Sequence, residues 1–461
     1  MTEMQTLAEP SDCFEAVAKF VRNTDADDIP DRVLQTAKLL TLDLIGVLAA
    51  AAKLDAGVIA RNHAANHWAA GEGAPKARML FDGRPVSLPG FAFAMATQLD
   101  NLDAHDGWQP SKGHAGAALF PALAAFAEEQ AAMSGREALI NMVIGYELSY
   151  RAAAALHATV EDYHTSGAWN ALGCVAMGAR LRGVSDEVLR HALGIAEYHA
   201  PRSQMMREIA NPTMLHDGTG FGAPVGVYAL LIAEDCFTGA PAALVEFDDA
   251  SPHWSDLGHN WLAEQQYIKP YPICRWAHAP IDAALDLRRK HDIKPEEVEQ
   301  VDIFTFAYSA DLSCTVPTTS PMAQYSLAWP VAAALVRGRV GVDEILPSSF
   351  SNADLIAMTS RIKAHVAADL EARYPQDRLA RMTITLKDGR SFESGETIAS
   401  GGPDPQPTEA EVVPKFRQFA GSVMTAKQVE AVEKTVLSLD HEESDFKALV
   451  DLLADMKLRE T

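Results

Sequence analysis

The amino-acid sequence predicts a large all-helical body with a smaller α/β unit inserted before the last helices. Three observations carry this expectation. Apolar residues recur at helical spacing up to about residue 265. Strand-like alternation then takes over at 298–306 and 381–386. A breaker-rich stretch, Gly401-Gly-Pro-Asp-Pro-Gln-Pro407, precedes a return to helix. The expected units are 1–266 with 405–461, all helical, and 267–404, α/β.

Taken in order, Pro30-Asp31 opens a helix with Val33, Ala37, Leu40, Leu44 and Val47 on one stripe. Further helices are predicted over 119–132, 137–158, 168–181 and 185–196. Their interiors are crowded with Ala and Gly, as in 151–156 and 171–178, and small side chains let helix backbones approach closely. Beyond residue 266, 298–306 and 381–386 read as strands. Lys387-Asp-Gly-Arg390 reads as a turn, with 391–393 returning as a hairpin. Helices at 280–289 and 327–336 lie between the strands, and from Thr408 the chain reads as helix to its end.

Composition narrows the function classes. The 461 residues are 48% hydrophobic and 22% charged, a globular balance that excludes a disordered chain or a coiled-coil rod. Lys and Arg number 39 against 62 Asp and Glu, a net charge of −23. Such a surface repels nucleic acid and anionic membrane, so neither is an expected partner. An anionic substrate then needs a local cluster of cations. The five cysteines are odd in number and form no CxxC, which reads as reduced thiols in a cytoplasmic protein. No secretory pattern is visible in 1–15, and the longest apolar runs fall short of the roughly 20 residues a membrane span needs.

Three clusters carry candidate chemistry. His114, His164 and His216 each sit on a loop feeding a small-residue helix. A helix N-terminus there offers N–H groups to a carboxylate, and the histidine adds a base with a pKa near neutrality. Gln98–Gly107 packs three aspartates and a histidine into ten positions, the ingredients of a base and its orienting partner. Its spacing matches neither an EF-hand nor a zinc motif, so no metal is expected. Lys269-Pro-Tyr-Pro-Ile-Cys-Arg-Trp-Ala-His278 places two cations, a tyrosine and a histidine at the boundary between the units, which suits a cleft holding an anion. The glycines of 218–222 follow no strand and read as helix packing. The chain contains no P-loop, HExxH or GxSxG.

These pieces, in this order, resemble the MmgE/PrpD family, which includes 2-methylcitrate dehydratase, cis-aconitate decarboxylase and iminodisuccinate epimerase. The matching segments are Leu42–Gly46, Leu102-Asp-Ala-His-Asp106 with His114, Gly145-Tyr-Glu147 with Arg151, and Tyr163–Gly167. Leu215–Gly218, Lys269–Arg275 with His278, and Gln324-Tyr-Ser326 complete the set. The resemblance implies a helical domain with an inserted α/β domain, a homodimer, and no cofactor. It also implies a small di- or tricarboxylate substrate.

Carried over residue by residue, the resemblance puts Asp103, His114, His164 and His278 in the active site. His164 or His114 is then the base, Asp103 its orienting partner and His278 the acid. Lys269, Arg275, Tyr325, His216, Tyr146 and Arg151 are the expected substrate-binding residues, although Arg151 can instead pair with Glu147 one turn earlier. Two positions depart from the family: Thr213 stands where the decarboxylase and several relatives have lysine, and Ala104-His105 where Phe-Asp is frequent. The expected reaction is dehydration of a hydroxy acid, with epimerisation of a dicarboxylate as the alternative and decarboxylation behind both. A catalytically inactive metabolite-binding member is the non-enzymatic alternative.

Overall fold

A computed structural model of the chain describes residues 9–459. It is a mostly helical protein with a smaller α/β unit. Helix Asp31–Ala51 runs through the centre of the helical body. Its length and apolar composition would suffice to cross a membrane, but most of it is buried inside the protein. Helices Leu88–Asp100, Gly116–Glu129 and Gly135–Thr159 pack on it, and Asn170–Arg182 and Thr219–Glu234 pack on those in turn. The Ala/Gly-rich interiors have a direct cause. A Cβ on Gly226 would sit 2.4 Å from the Ala171 carbonyl, and one on Gly173 would sit 2.5 Å from the Gly145 carbonyl. Only hydrogen at these crossings allows the helices to pack this closely.

The predicted helices occur within a few residues of their expected bounds; the sequence stripe at 119–132, for example, becomes Gly116–Glu129, with Pro121 tolerated inside its second turn. The second unit holds a mixed sheet in the order Ile362–Val366, Val298–Thr305, Leu379–Leu386, Ser391–Glu393. The first pair is parallel and the others antiparallel. Helices His278–His291 and Ala328–Arg337 cover the sheet. Strand Ile362–Val366 is not among the expected strands; it alternates apolar and polar residues, but it is only five residues long and, as an edge strand, fully buries Ile362 alone. Helices Glu409–Gly421 and Ala426–Leu437 return to pack on Asp31–Ala51.

A buried ion pair fixes this return. Lys415 Nζ lies 2.6 Å from Asp43 Oδ1 and donates to the Ala104 carbonyl at 2.6 Å. One C-terminal side chain thereby holds both the central helix and the aspartate-rich loop.

Candidate active site

The site is assembled from three loops of the helical body and the segment that begins the α/β unit. The first loop, residues 101–114, is clamped by Gln324. The Asp103 N–H donates to the Gln324 side-chain oxygen at 2.7 Å, and the Gln324 amide donates to the Asn101 carbonyl at 3.1 Å. The backbone of Gln324 in turn accepts from the Cys274 N–H at 2.8 Å. A reciprocal backbone pair, Gly107 with Tyr267, joins the same loop to the Lys269 segment. The second and third loops meet through glycine. A Cβ on Gly167 would sit 2.4 Å from the Gly218 carbonyl, and Gly218 takes a positive φ of 68°. This close approach lets Ser166 Oγ accept from the His114 N–H at 2.8 Å and donate to Asp217 at 3.2 Å.

The side chains so placed form a buried acid–base cluster. Lys269 is ion-paired with Asp103, and its Nζ lies 3.5 Å from His114 Nε2. Asp217 Oδ2 lies 3.3 Å from the same nitrogen. The other ring nitrogen of His114 bonds the Asp106 carbonyl, which can only accept. Nδ1 therefore carries the proton and Nε2 presents its lone pair to the cavity, the tautomer a base requires. Burial, reinforced by the Lys269 charge, holds the imidazolium form well below its usual range, so the ring is neutral near pH 7. Burial and then the Asp103 charge push the Asp217 carboxyl up to about 7. For Asp103 itself, burial is outweighed by Lys269 and the nearby histidines, and it stays ionised.

Asp103, His105 and His114 offer ligand atoms within 4.8 Å of one another. The Lys269 ammonium already lies against two of the three, so a metal ion among them would face its charge. Tyr325 and Cys274 complete this wall. Burial pushes the thiol up to about 12 and the Tyr325 hydroxyl well above its usual value, so both are neutral donors.

Of the residues singled out from the sequence, Asp103, His114, Lys269, Arg275 and Tyr325 line one cavity. The remaining five do not line it. His278 is fully buried behind Arg275, with Nδ1 3.4 Å from that guanidinium and Nε2 2.8 Å from the Ile273 carbonyl, so both its nitrogens are engaged away from substrate. It is the Asp217 carboxyl, not His278, that lies beside His114. His164 is buried but not on the cavity wall; its backbone forms a β-bridge with Gln204 and its N–H donates to His157 Nε2 at 3.3 Å. His216 stacks on Tyr325 at 5.4 Å. Tyr146 packs behind the site against Tyr150 at 5.8 Å. Arg151 is spent on Glu147, Asp256 and the carbonyls of His253 and Asn260, where it holds the 251–260 loop.

Sequence reasoning missed Asp217, Lys112, Tyr267 and Arg378, all of which line the cavity. Asp217 stood beside His216 in a quoted motif; Arg378, just ahead of strand Leu379–Leu386, has no local signal. The inner cavity is narrow, about 30 Å³, and shares Tyr267, Arg275 and Arg378 with the lining of a cleft of about 820 Å³.

Fold and site define a two-unit, mostly helical protein whose acid–base groups meet where loops of the helical body face the α/β unit. The chain belongs to the MmgE/PrpD family: residues 15–251 match the MmgE/PrpD N-terminal domain and residues 271–441 the MmgE/PrpD C-terminal domain. Among similar curated proteins is the cis-aconitate decarboxylase of Homo sapiens, 23% identical over 476 residues that cover 95% of this chain and 94% of that protein. The cis-aconitate decarboxylase of Aspergillus terreus is 24% identical over 484 residues, 95% of each chain.

Proposed function

We propose that the protein is a cofactor-independent lyase that removes a proton α to a carboxylate of a small di- or tricarboxylate and then expels hydroxide. The observation that carries this reading is His114, neutral, locked in the base tautomer, and flanked within 3.5 Å by the Lys269 ammonium and the Asp217 carboxyl. Proton removal next to a carboxylate piles charge onto a group already negative. Lys269 and the neutral Tyr325 hydroxyl lower that barrier by facing the developing charge in a buried site. Asp217, protonated up to about pH 7, then gives its proton to the departing hydroxide.

Dehydration is favoured over epimerisation by geometry. His114 Nε2 and Asp217 Oδ2 are 3.3 Å apart, too close for a substrate carbon to sit between them. Both groups therefore address one face of the substrate, which suits loss of a proton and a hydroxide from that face. Epimerisation needs proton transfer on opposite faces. Decarboxylation of the kind named for the relatives is disfavoured because the position where the family resemblance expects a lysine holds Thr213, which supplies no cation; its N–H and hydroxyl donate to the Glu208 carboxyl at 2.5 and 2.9 Å.

A panel of citrate-like, malate-like and iminodisuccinate-like acids followed by proton NMR in heavy water tests the reading. Dehydration gives a new alkene signal and ultraviolet absorbance. Deuterium incorporation with inversion and no alkene would establish the epimerase instead.

A further inference from the structure

Three cations around the inner cavity have no acidic partner. Lys112, Arg275 and Arg378 all line it, and none makes an ion pair among the described residues. Lys112 stands 5.5 Å from the Tyr163 ring. Arg275 lies 4.5 Å from the Tyr267 ring and spends two N–H groups on the carbonyls of Ser400 and Ala399. Arg378 has a single long contact, 3.5 Å to the Gln109 carbonyl, and its buried Nε has no partner. Almost every other buried cation in this acidic chain is paired, as Lys269 is with Asp103 and Lys415 with Asp43.

Arg378 also repels the other two. Burial first, and the Arg378 charge after it, push Arg275 down to about 10 and lower Lys112. A chain with 62 acidic residues that leaves three cations unneutralised beside one cavity has built a place for an anion. Lys269, by contrast, is already committed to Asp103 on the His114 side.

We infer that Arg378, Arg275 and Lys112 form a second carboxylate subsite, separate from the Lys269–His114 centre, that binds the non-reacting carboxylate of a substrate bearing at least two. The inference rests on reading the cavity as a carboxylate-binding active site. It assigns Arg378, supplied by the α/β unit, as the main determinant of that requirement, because its guanidinium is the least committed and offers a planar pair of donors.

Succinate and succinamate, which differ in one carboxylate, are the probes, titrated calorimetrically into the full chain. The wild type is expected to bind succinate about tenfold or more tighter than succinamate. Arg378→Gln should weaken succinate by about 10–100-fold and leave succinamate within about twofold. Lys112→Met should act in the same direction and carries the comparison if Arg378→Gln lowers the melting temperature sharply. An unchanged succinate affinity in both variants, equal weakening of both ligands, or no wild-type preference for succinate overturns the subsite. Absence of heavy-water exchange into every acid, with the succinate preference intact, would instead sink the proton-abstraction reading and leave the subsite standing.

Discussion

At the scale of single residues, the chemistry depends on which histidine faces the cavity with a free lone pair. His114 does, because a backbone carbonyl holds its other nitrogen. His114→Gln should therefore lower turnover by about 10²–10⁴-fold, the usual worth of a positioned base, with the melting temperature nearly unchanged. His164→Ala should cost far less, since that ring is not on the cavity wall; steady-state rates for the two variants, measured beside their melting curves, decide between them. Asp217 supplies a pH signature. Burial pushes its carboxyl up to about 7, and in the proposed reaction it serves as the acid, so the active form is the protonated one. The sign follows: kcat/KM should hold below pH 7 and fall above it as the proton is lost. The acid limb should lie far below neutrality, because His114 gains its extra proton only there. A profile that instead rises through pH 7 would reverse the roles of the two groups.

At the scale of elements, Lys415 links the C-terminal helix Glu409–Gly421 to the central helix and to the aspartate loop. Removing it leaves Asp43 buried without its partner. Lys415→Met should cost about 3–5 kcal/mol of stability, read by denaturant unfolding, and Asp43→Asn in the same chain should recover part of that loss. A Lys415→Met protein as stable as wild type would show that the pair contributes nothing net. The elements themselves were legible in the sequence to different degrees. Helix stripes and the alternation of Val298–Thr305 survive as local patterns because each buries one face. The Asp103, His114 and Lys269 segments were visible because their residue types cluster. Asp217 and Arg378 were not: Asp217 is placed by the contact of its neighbour Gly218 with Gly167, some 50 residues away, and Arg378 by docking of the α/β unit, and neither partner is visible from the local sequence. The same limit explains His164 and His216, whose loop-before-helix context gives the position of a histidine but not the direction of its ring, and His278, whose place in the Lys269–His278 cluster is equally silent on where its ring points.

At the scale of the whole molecule, a chain of net charge −23 concentrates unpaired cations at one cavity. Attraction of a dianion should then weaken with salt, since the Debye length shrinks to about 3 Å at 1 M; a Michaelis constant indifferent to ionic strength would contradict this. The loop 101–114 that carries Asp103 and His114 is held by the Gln324 and Gln109 contacts and lines the cavity on one side. Amide hydrogen exchange over 101–114 should accordingly change when succinate binds. The central claim, that His114 takes a proton from carbon without a cofactor, is tested most directly by deuterium incorporation from heavy water into the substrate acid. Wild-type protein treated with chelator should exchange and turn over the acid, and folded His114→Gln should do neither at more than about a hundredth of that rate. Undiminished exchange in His114→Gln would contradict it.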